Sequence, residues 1–433
     1  MKRRWAMLLA VCLLGVGVTT ACGGDDDGGG TAKGDGTVEI FSLWGGSEQE
    51  AFQKVLTQFT AETGIKTKYE SARDFLPVIR TRLAAGNPPE LAIIPRPGIV
   101  ADLAKDGNLI KLNDLGLDAD KIGENYSSTW TNLATVDDEV YGVVAKANSK
   151  SVVWYKPASF KENGFEPPSD WAGLLKITED YKAKGKTPWA VGAQGRDNSW
   201  TLTDWFENIY ARQAGPDMYE QLFTGELAFN DQSVKDALTE MLKIINDKNV
   251  AGGIDTVLGT SFVDGIGKVF GKNAVAEMYM EGGFVGGIAI DQVNPSLKPG
   301  EDIAFFPFPE INAEHGSPLV GGGDVAAAFE NNEDVAKLME FLSSPEAIRT
   351  WVSTGAIVSP HKGVTEYPNE LVKAEADQVQ NAETFRFDGS DLLPGSLGQD
   401  FGTLLQNIIR KPADMDKFLD DYQADAEQAF GAA

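Results

Sequence analysis

The chain has 433 residues and a net charge of −26, with only two cysteines and two histidines. That length suffices for two domains with sizeable cores. An acid excess of this size repels phosphate backbones and anionic headgroups, so nucleic acid is not an expected partner. Two histidines, His315 and His361, poorly supply a catalytic triad and nearly exclude a multi-histidine zinc site, so no metal or cofactor is expected.

Residues 1–21 read as an export signal. Lys2, Arg3 and Arg4 form a positive start, Met7 to Val18 an apolar run, and Thr19-Thr20-Ala21 a small-residue end before Cys22. The apolar run is too short for an ordinary spanning helix. Cys12 falls inside this signal, so the mature domain is expected to have neither a disulfide nor thiol chemistry. The placement of Cys22 resembles a bacterial lipoprotein signal, in which the cysteine becomes the lipid-bearing first residue. Thr19 stands where such signals usually carry leucine. Residues 22–36, rich in Gly and Asp, offer little to pack and read as a flexible tether.

The fold begins at Thr37. Val38, Ile40 and Leu43 make a short buried strand, Trp44-Gly45-Gly46 a turn, and Ser47 with Glu50 an S-x-x-E capping box. Ala51, Phe52, Val55, Leu56 and Phe59 then follow at helical spacing, up to Gly64. No G-x-G-x-x-G occurs here, and a Trp at the turn obstructs a pyrophosphate. Strands over 66–69 and 91–94 alternate with helices opening near Phe75 and Ile99, which predicts a parallel sheet with right-handed crossovers. Loops at Trp44–Ser47, Ser71–Asp74 and Pro95–Gly98 then share one sheet edge, where ligands bind in open α/β sheets. Strands at 140–144 and 151–155, with Lys146–Lys150 as connector, read as a crossing into a second lobe. There, short strands end in Gln194–Trp200 and in Glu281-Gly282-Gly283-Phe284, and Val234 to Ile245 is an amphipathic helix. Gly321-Gly322-Gly323-Asp324 precedes an apolar run, and the chain is mostly helical beyond Asn332.

Several segments, taken together in their order, resemble the solute-binding lipoproteins of bacterial ATP-binding-cassette importers, carbohydrate branch. They are IFSLWGGSEQEAF at Ile40–Phe52, AAGNPPELAIIPRPG at Ala84–Gly98, VVWYKPASF at Val152–Phe160, the Pro168–Trp171 turn, MYMEGGFVGG at Met278–Gly287 and GGGDVAAAF at Gly321–Phe329. The likeness is greatest to the α-glucoside binders. It implies an α/β, two-lobed periplasmic-binding-protein-like (type II) fold with about two or three hinge crossings and a central ligand cleft. The lobes would be 37–148 with about 307–342, and 149–306 with about 343–433. It further implies a monomer outside the cytoplasm, lipid-anchored through Cys22 to the outer membrane face, that delivers a sugar to the transmembrane subunits of a permease and performs no chemistry.

A sugar needs aromatic faces for its C–H surfaces and carboxylates, amides and guanidinium groups for its hydroxyls. The strand-end loops supply these. Trp44 and Gly46 with Glu48 are the first candidates, against the alternatives that Trp44 plugs a helix–sheet contact and Glu48 serves the helix dipole. Arg73 is preferred to Asp74, a natural N-cap, and Arg96 is held between two prolines. In the second lobe Asp197, Asn198 and Trp200 interleave polar groups with a ring. Glu281, Gly282, Gly283 and Asp324 complete the set, with the glycines permitting close backbone approach. Trp154, Tyr155 and Trp205 read as hinge or core, and Trp351 and Arg386 are weaker candidates. The competing reading is a secreted glycoside hydrolase using a carboxylate pair, to which Glu48, Asp74, Asp197, Glu281 or Asp324 could contribute, although no spacing identifies one.

Overall fold

The computed structural model describes residues 31–72, 75–355 and 357–432. The export signal, Cys22, Arg73 and Asp74 lie outside the described residues. The strands, in chain order, are β1 (Thr37–Ser42), β2 (Lys66–Ser71), β3 (Leu91–Ile94), β4 (Thr135–Val136), β5 (Glu139–Val140) and β6 (Gly142–Ser149). There follow β7 (Val152–Tyr155), β8 (Trp189–Ala190), β9 (Met278–Met280), β10 (Ala304–Pro307), β11 (Leu319–Ala328) and β12 (Phe385–Phe387).

Two sheets form two lobes. In the first the order is β12-β11-β3-β1-β2, with β6 on the free edge of β11. β1, β2 and β3 are parallel, so their C-terminal ends lie together, as the alternation of strands and helices predicts. β11 runs antiparallel to β3 and β6. The second sheet, β10-β7-β9-β8, is mostly antiparallel. Helices cover both. Ser47–Thr63 lays Phe52, Val55, Leu56 and Phe59 on the first sheet, and Trp200–Gln213 buries Leu202, Trp205, Phe206 and Ile209 in the second core.

Among the described residues the chain crosses between lobes three times: from β6 to β7, from β10 to β11, and after β12 toward the helix Leu397–Arg410. The first lobe therefore extends further than a boundary near residue 342. The helix Pro345–Val352, expected in the second lobe, packs in the first core, where Trp351 lies 5.1 Å from Trp44 and 4.9 Å from Phe52. Its apolar face is legible in sequence; the surface it covers is not.

Three local expectations shift. Gly46, at φ 59°, occupies the N-cap of the first helix in place of Ser47, and its carbonyl accepts from the Glu50 amide at 3.0 Å. That positive φ favours glycine. The last residues of the predicted tether are fastened down: the Gly36 amide donates to Asp334 Oδ2 at 2.7 Å, and the Glu333 amide to the Ala32 carbonyl at 2.8 Å. Finally, Lys146 to Ser149 is no connector. It continues β6 in register with β11, Lys146 opposite Asp324 and Asn148 opposite Gly322.

Candidate functional site

The strand ends of the first lobe face the loops of the second across a cavity of about 380 Å³. Trp44, Gly46, Glu48, Arg96 and Asp324 line it from the first lobe, and Asp197, Asn198 and Trp200 from the second. Sequence reasoning thus brings eight of its candidates to one place. The size falls in the usual range for small-molecule clefts, about 300–1,000 Å³.

The floor is built by alternation along one strand. Side chains two residues apart on a strand share a face. Lys146 and Asn148 accordingly line the cavity together, and Lys150, one residue beyond β6, lines it beside them. Lys146 Nζ lies 2.6 Å from Glu48 Oε1 and 3.9 Å from Asp324 Oδ2. Lys150 Nζ lies 3.1 Å from Asp204 Oδ1, contacts Asp388 closely and is 3.9 Å from Asp391 Oδ2. Arg96 Nε in turn reaches Asp391 at 3.1 Å. A buried ammonium is tolerable only when carboxylates offset its lost hydration, and both lysines meet that condition. Burial would lower each lysine, but the surrounding carboxylates hold both above the ordinary value.

The acids respond in opposite directions. Burial, reinforced by Glu48, pushes Asp324 up to about 7 despite Lys146. Burial also pushes Asp391 up to about 6 and Asp204 up to about 7. Burial would raise Asp388 too, but the charge and hydrogen bond of Lys150 hold it down at about 2.

The wall of the second lobe is aromatic. Trp200 packs 4.9 Å from Phe262 and 6.0 Å from Phe284, and those two rings lie 5.7 Å apart. Lys150 Nζ sits 5.4 Å from the Trp200 ring centroid, and Lys146 Nζ 5.9 Å from that of Phe284. Half-buried Trp200 leaves ring surface toward the cleft, where it can meet the C–H face of a ligand.

Individual candidates take different parts. Trp44 is only 2% exposed, wedged between Phe52 and Trp351, with Lys146 5.4 Å from its ring. It shapes the wall more than it offers a platform. The Asn198 amide is spent on the scaffold: its Oδ1 accepts from the Phe262 amide at 2.9 Å, and its Nδ2 donates to the Gln194 carbonyl at 2.9 Å. Asp197 is exposed at the rim.

Glu281, Gly282 and Gly283 do not line the cavity. Glu281 is 1% exposed, and burial together with the facing Asp204 carboxyl holds it well above the usual carboxylate range. The Gly282 carbonyl accepts from Trp154 Nε1 at 3.1 Å. A Cβ on Gly283 would fall 1.8 Å from the Glu375 carboxyl carbon. The close approach that requires glycine here is to another helix of the chain. Trp351 belongs to the first core, and Arg386 pairs with Asp217 and Glu220 away from the cleft.

Sequence reasoning missed Lys146, Asn148, Lys150, Phe262, Phe284 and Asp391 among the cleft residues. The K-x-N-x-K alternation was a usable signal for the first three. Phe284 closes a strand-end loop that the sequence marks, whereas Phe262 and Asp391 carry no signal, because only the tertiary fold brings their segments to the cleft.

A family profile of bacterial extracellular solute-binding proteins matches residues 45–348. The chain is 34% identical over 376 residues to the osmoprotective compounds-binding protein GgtB of Synechocystis sp., covering 86% of this chain and 87% of that one. It is 32% identical over 380 residues to the α-glucosides-binding periplasmic protein AglE of Rhizobium meliloti, covering 84% and 81%. Among solved structures, the bacterial solute receptor AcbH, described as preferring β-D-galactopyranose, superposes with a TM-score of 0.80 at 19% identity, over 92% of this chain and all of that one. This last likeness bears on the fold alone.

Proposed function

The chain belongs to the family of bacterial extracellular solute-binding proteins, and from that premise we propose that it serves an ATP-binding-cassette importer by binding a neutral sugar, an α-linked di- or oligosaccharide. The observation that carries the sugar reading is the pairing of an aromatic wall, Trp200 with Phe262 and Phe284, with a floor whose cations Arg96, Lys146 and Lys150 are each ion-paired. Rings meet the C–H faces of a sugar, and paired ions meet its hydroxyls without demanding charge. Two relatives named for α-glucosides and osmoprotective compounds fit the same chemistry.

The ligand favours the state in which both lobes touch it, so binding shifts the population toward closure about the three crossings. The loaded protein then delivers its sugar to the transmembrane subunits of a permease. It works as a monomer outside the cytoplasm, held at the outer face of the membrane by lipid on Cys22. The chain itself performs no chemistry. A hydrolase reading finds little support, since Glu48 and Asp324 face the same ammonium of Lys146.

The test is thermal unfolding of the purified protein with maltose, trehalose, sucrose and raffinose, and with an amino-acid mixture as control. A sugar that binds should raise the melting temperature increasingly with its concentration and be recovered intact. Stabilisation by amino acids alone contradicts the sugar reading, and released monosaccharide contradicts the absence of chemistry.

A further inference from the structure

We propose that Asn148 is a ligand-binding residue, whose side-chain oxygen accepts a hydrogen bond from a hydroxyl of the bound sugar at the floor of the cleft. This inference rests on the sugar reading above and adds a contact that the aromatic wall does not supply.

Asn148 stands at the centre of the K-x-N-x-K strand, between two fully engaged lysines. Lys146 is occupied by Glu48 and Asp324, and Lys150 by Asp204, Asp388 and Asp391. Asn148 Oδ1, by contrast, is buried with no hydrogen-bond partner among the described residues, and its side chain lines the cavity. Buried side-chain oxygens are nearly always satisfied, so an unsatisfied one that faces a binding cavity points to a donor brought by the ligand.

The opposite strand makes room for that donor. Gly322 is the register partner of Asn148. A Cβ there would lie 3.0 Å from Lys150 Cε and 3.1 Å from Asn148 Oδ1. Glycine therefore keeps a narrow hollow beside the amide and the Lys150 stem free of side chain. A neutral O–H fits this hollow. A carboxylate brings no donor for Asn148 Oδ1, and any anion would meet lysines that their own carboxylates already neutralise.

The test compares wild type, Asn148→Leu and Gly322→Ala by titration calorimetry with whichever of maltose, trehalose, sucrose or raffinose the wild type binds, and with the monodeoxy analogues of that sugar. Asn148→Leu should weaken binding about tenfold or more. It should leave the melting temperature of the sugar-free protein unchanged or raised, because no existing hydrogen bond is lost. Wild type should discriminate against one monodeoxy analogue, and Asn148→Leu should bind that analogue and the parent sugar alike. Gly322→Ala, whose methyl crowds the amide oxygen and the Lys150 stem, should weaken binding as well. Unaltered affinity in Asn148→Leu, or retained discrimination among the analogues, overturns the assignment. A wild type that binds none of maltose, trehalose, sucrose and raffinose overturns the sugar reading itself and this inference with it.

Discussion

Glu281 shows how a residue can be well chosen from sequence and still be assigned the wrong role. A carboxylate at a strand end, followed by two glycines, matches the pattern of a ligand contact. The strand end is real, but Glu281 faces inward, toward Asp204, Lys150 and Asp388. Neither Glu281 oxygen nor Asp204 Oδ2 receives a donor from elsewhere among the described residues, so a proton between the two carboxyls is what makes the pair tolerable. Burial and Asp204 hold Glu281 well above 4.5, and it keeps its proton in the folded chain where the unfolded chain has lost it. Its contribution to stability is therefore fully present at low pH and is lost as pH rises above about 4.5 toward the folded value. Glu281→Gln, which mimics the protonated acid, should gain on wild type between pH 5 and pH 8 by about 1 kcal/mol or more, measured by denaturant unfolding at both pH values. An equal difference at both would show that Glu281 titrates normally. Trp44 and Glu48, in contrast, lie where the sequence suggested, although Trp44 is mostly wall.

At the scale of elements, local periodicity carried most of the fold. The three parallel strands, their helices and the shared edge follow from apolar runs, turns and helical spacing in the first hundred or so residues. What escaped is pairing at a distance. Lys146 to Lys150 looks like a polar connector because its neighbours in space, Asp204, Asp324 and Asp388, are remote in sequence. The helix Pro345–Val352 shows an apolar stripe but not the first-lobe surface that receives it, and its Trp351 replaces solvent around Trp44. The tether was misjudged at its end for a similar reason: Gly36 lacks a side chain, yet its amide bonds Asp334, and the Ala32 backbone bonds Asn331 and Glu333. In the sequence a short Gly/Asp-rich span separates Thr31 from Cys22, the residue proposed to carry lipid. Cys22→Ser should move the protein from the membrane pellet to the medium, or leave it with an uncleaved signal, as read by fractionation and intact mass. Unchanged retention with normal processing would argue against lipid on Cys22.

Among the described residues the molecule is two lobes joined by three crossings, with the ion-paired floor at their junction. Lys150 begins the first crossing and Asp388 the third, so one buried ion pair ties together two of the segments that must bend. Such a pair adds little net stability against an apolar replacement, but it fixes how the segments meet. The cleft opens directly above it, between a polar first lobe and an aromatic second lobe. A ligand that engages both faces stabilises the state in which they approach, and this closure on a neutral sugar is the central claim. Small-angle X-ray scattering of the purified protein, without and with a saturating sugar that stabilises it, tests that claim most directly. The account predicts a smaller radius of gyration in the sugar-bound state; a saturated protein whose radius of gyration is unchanged would contradict it.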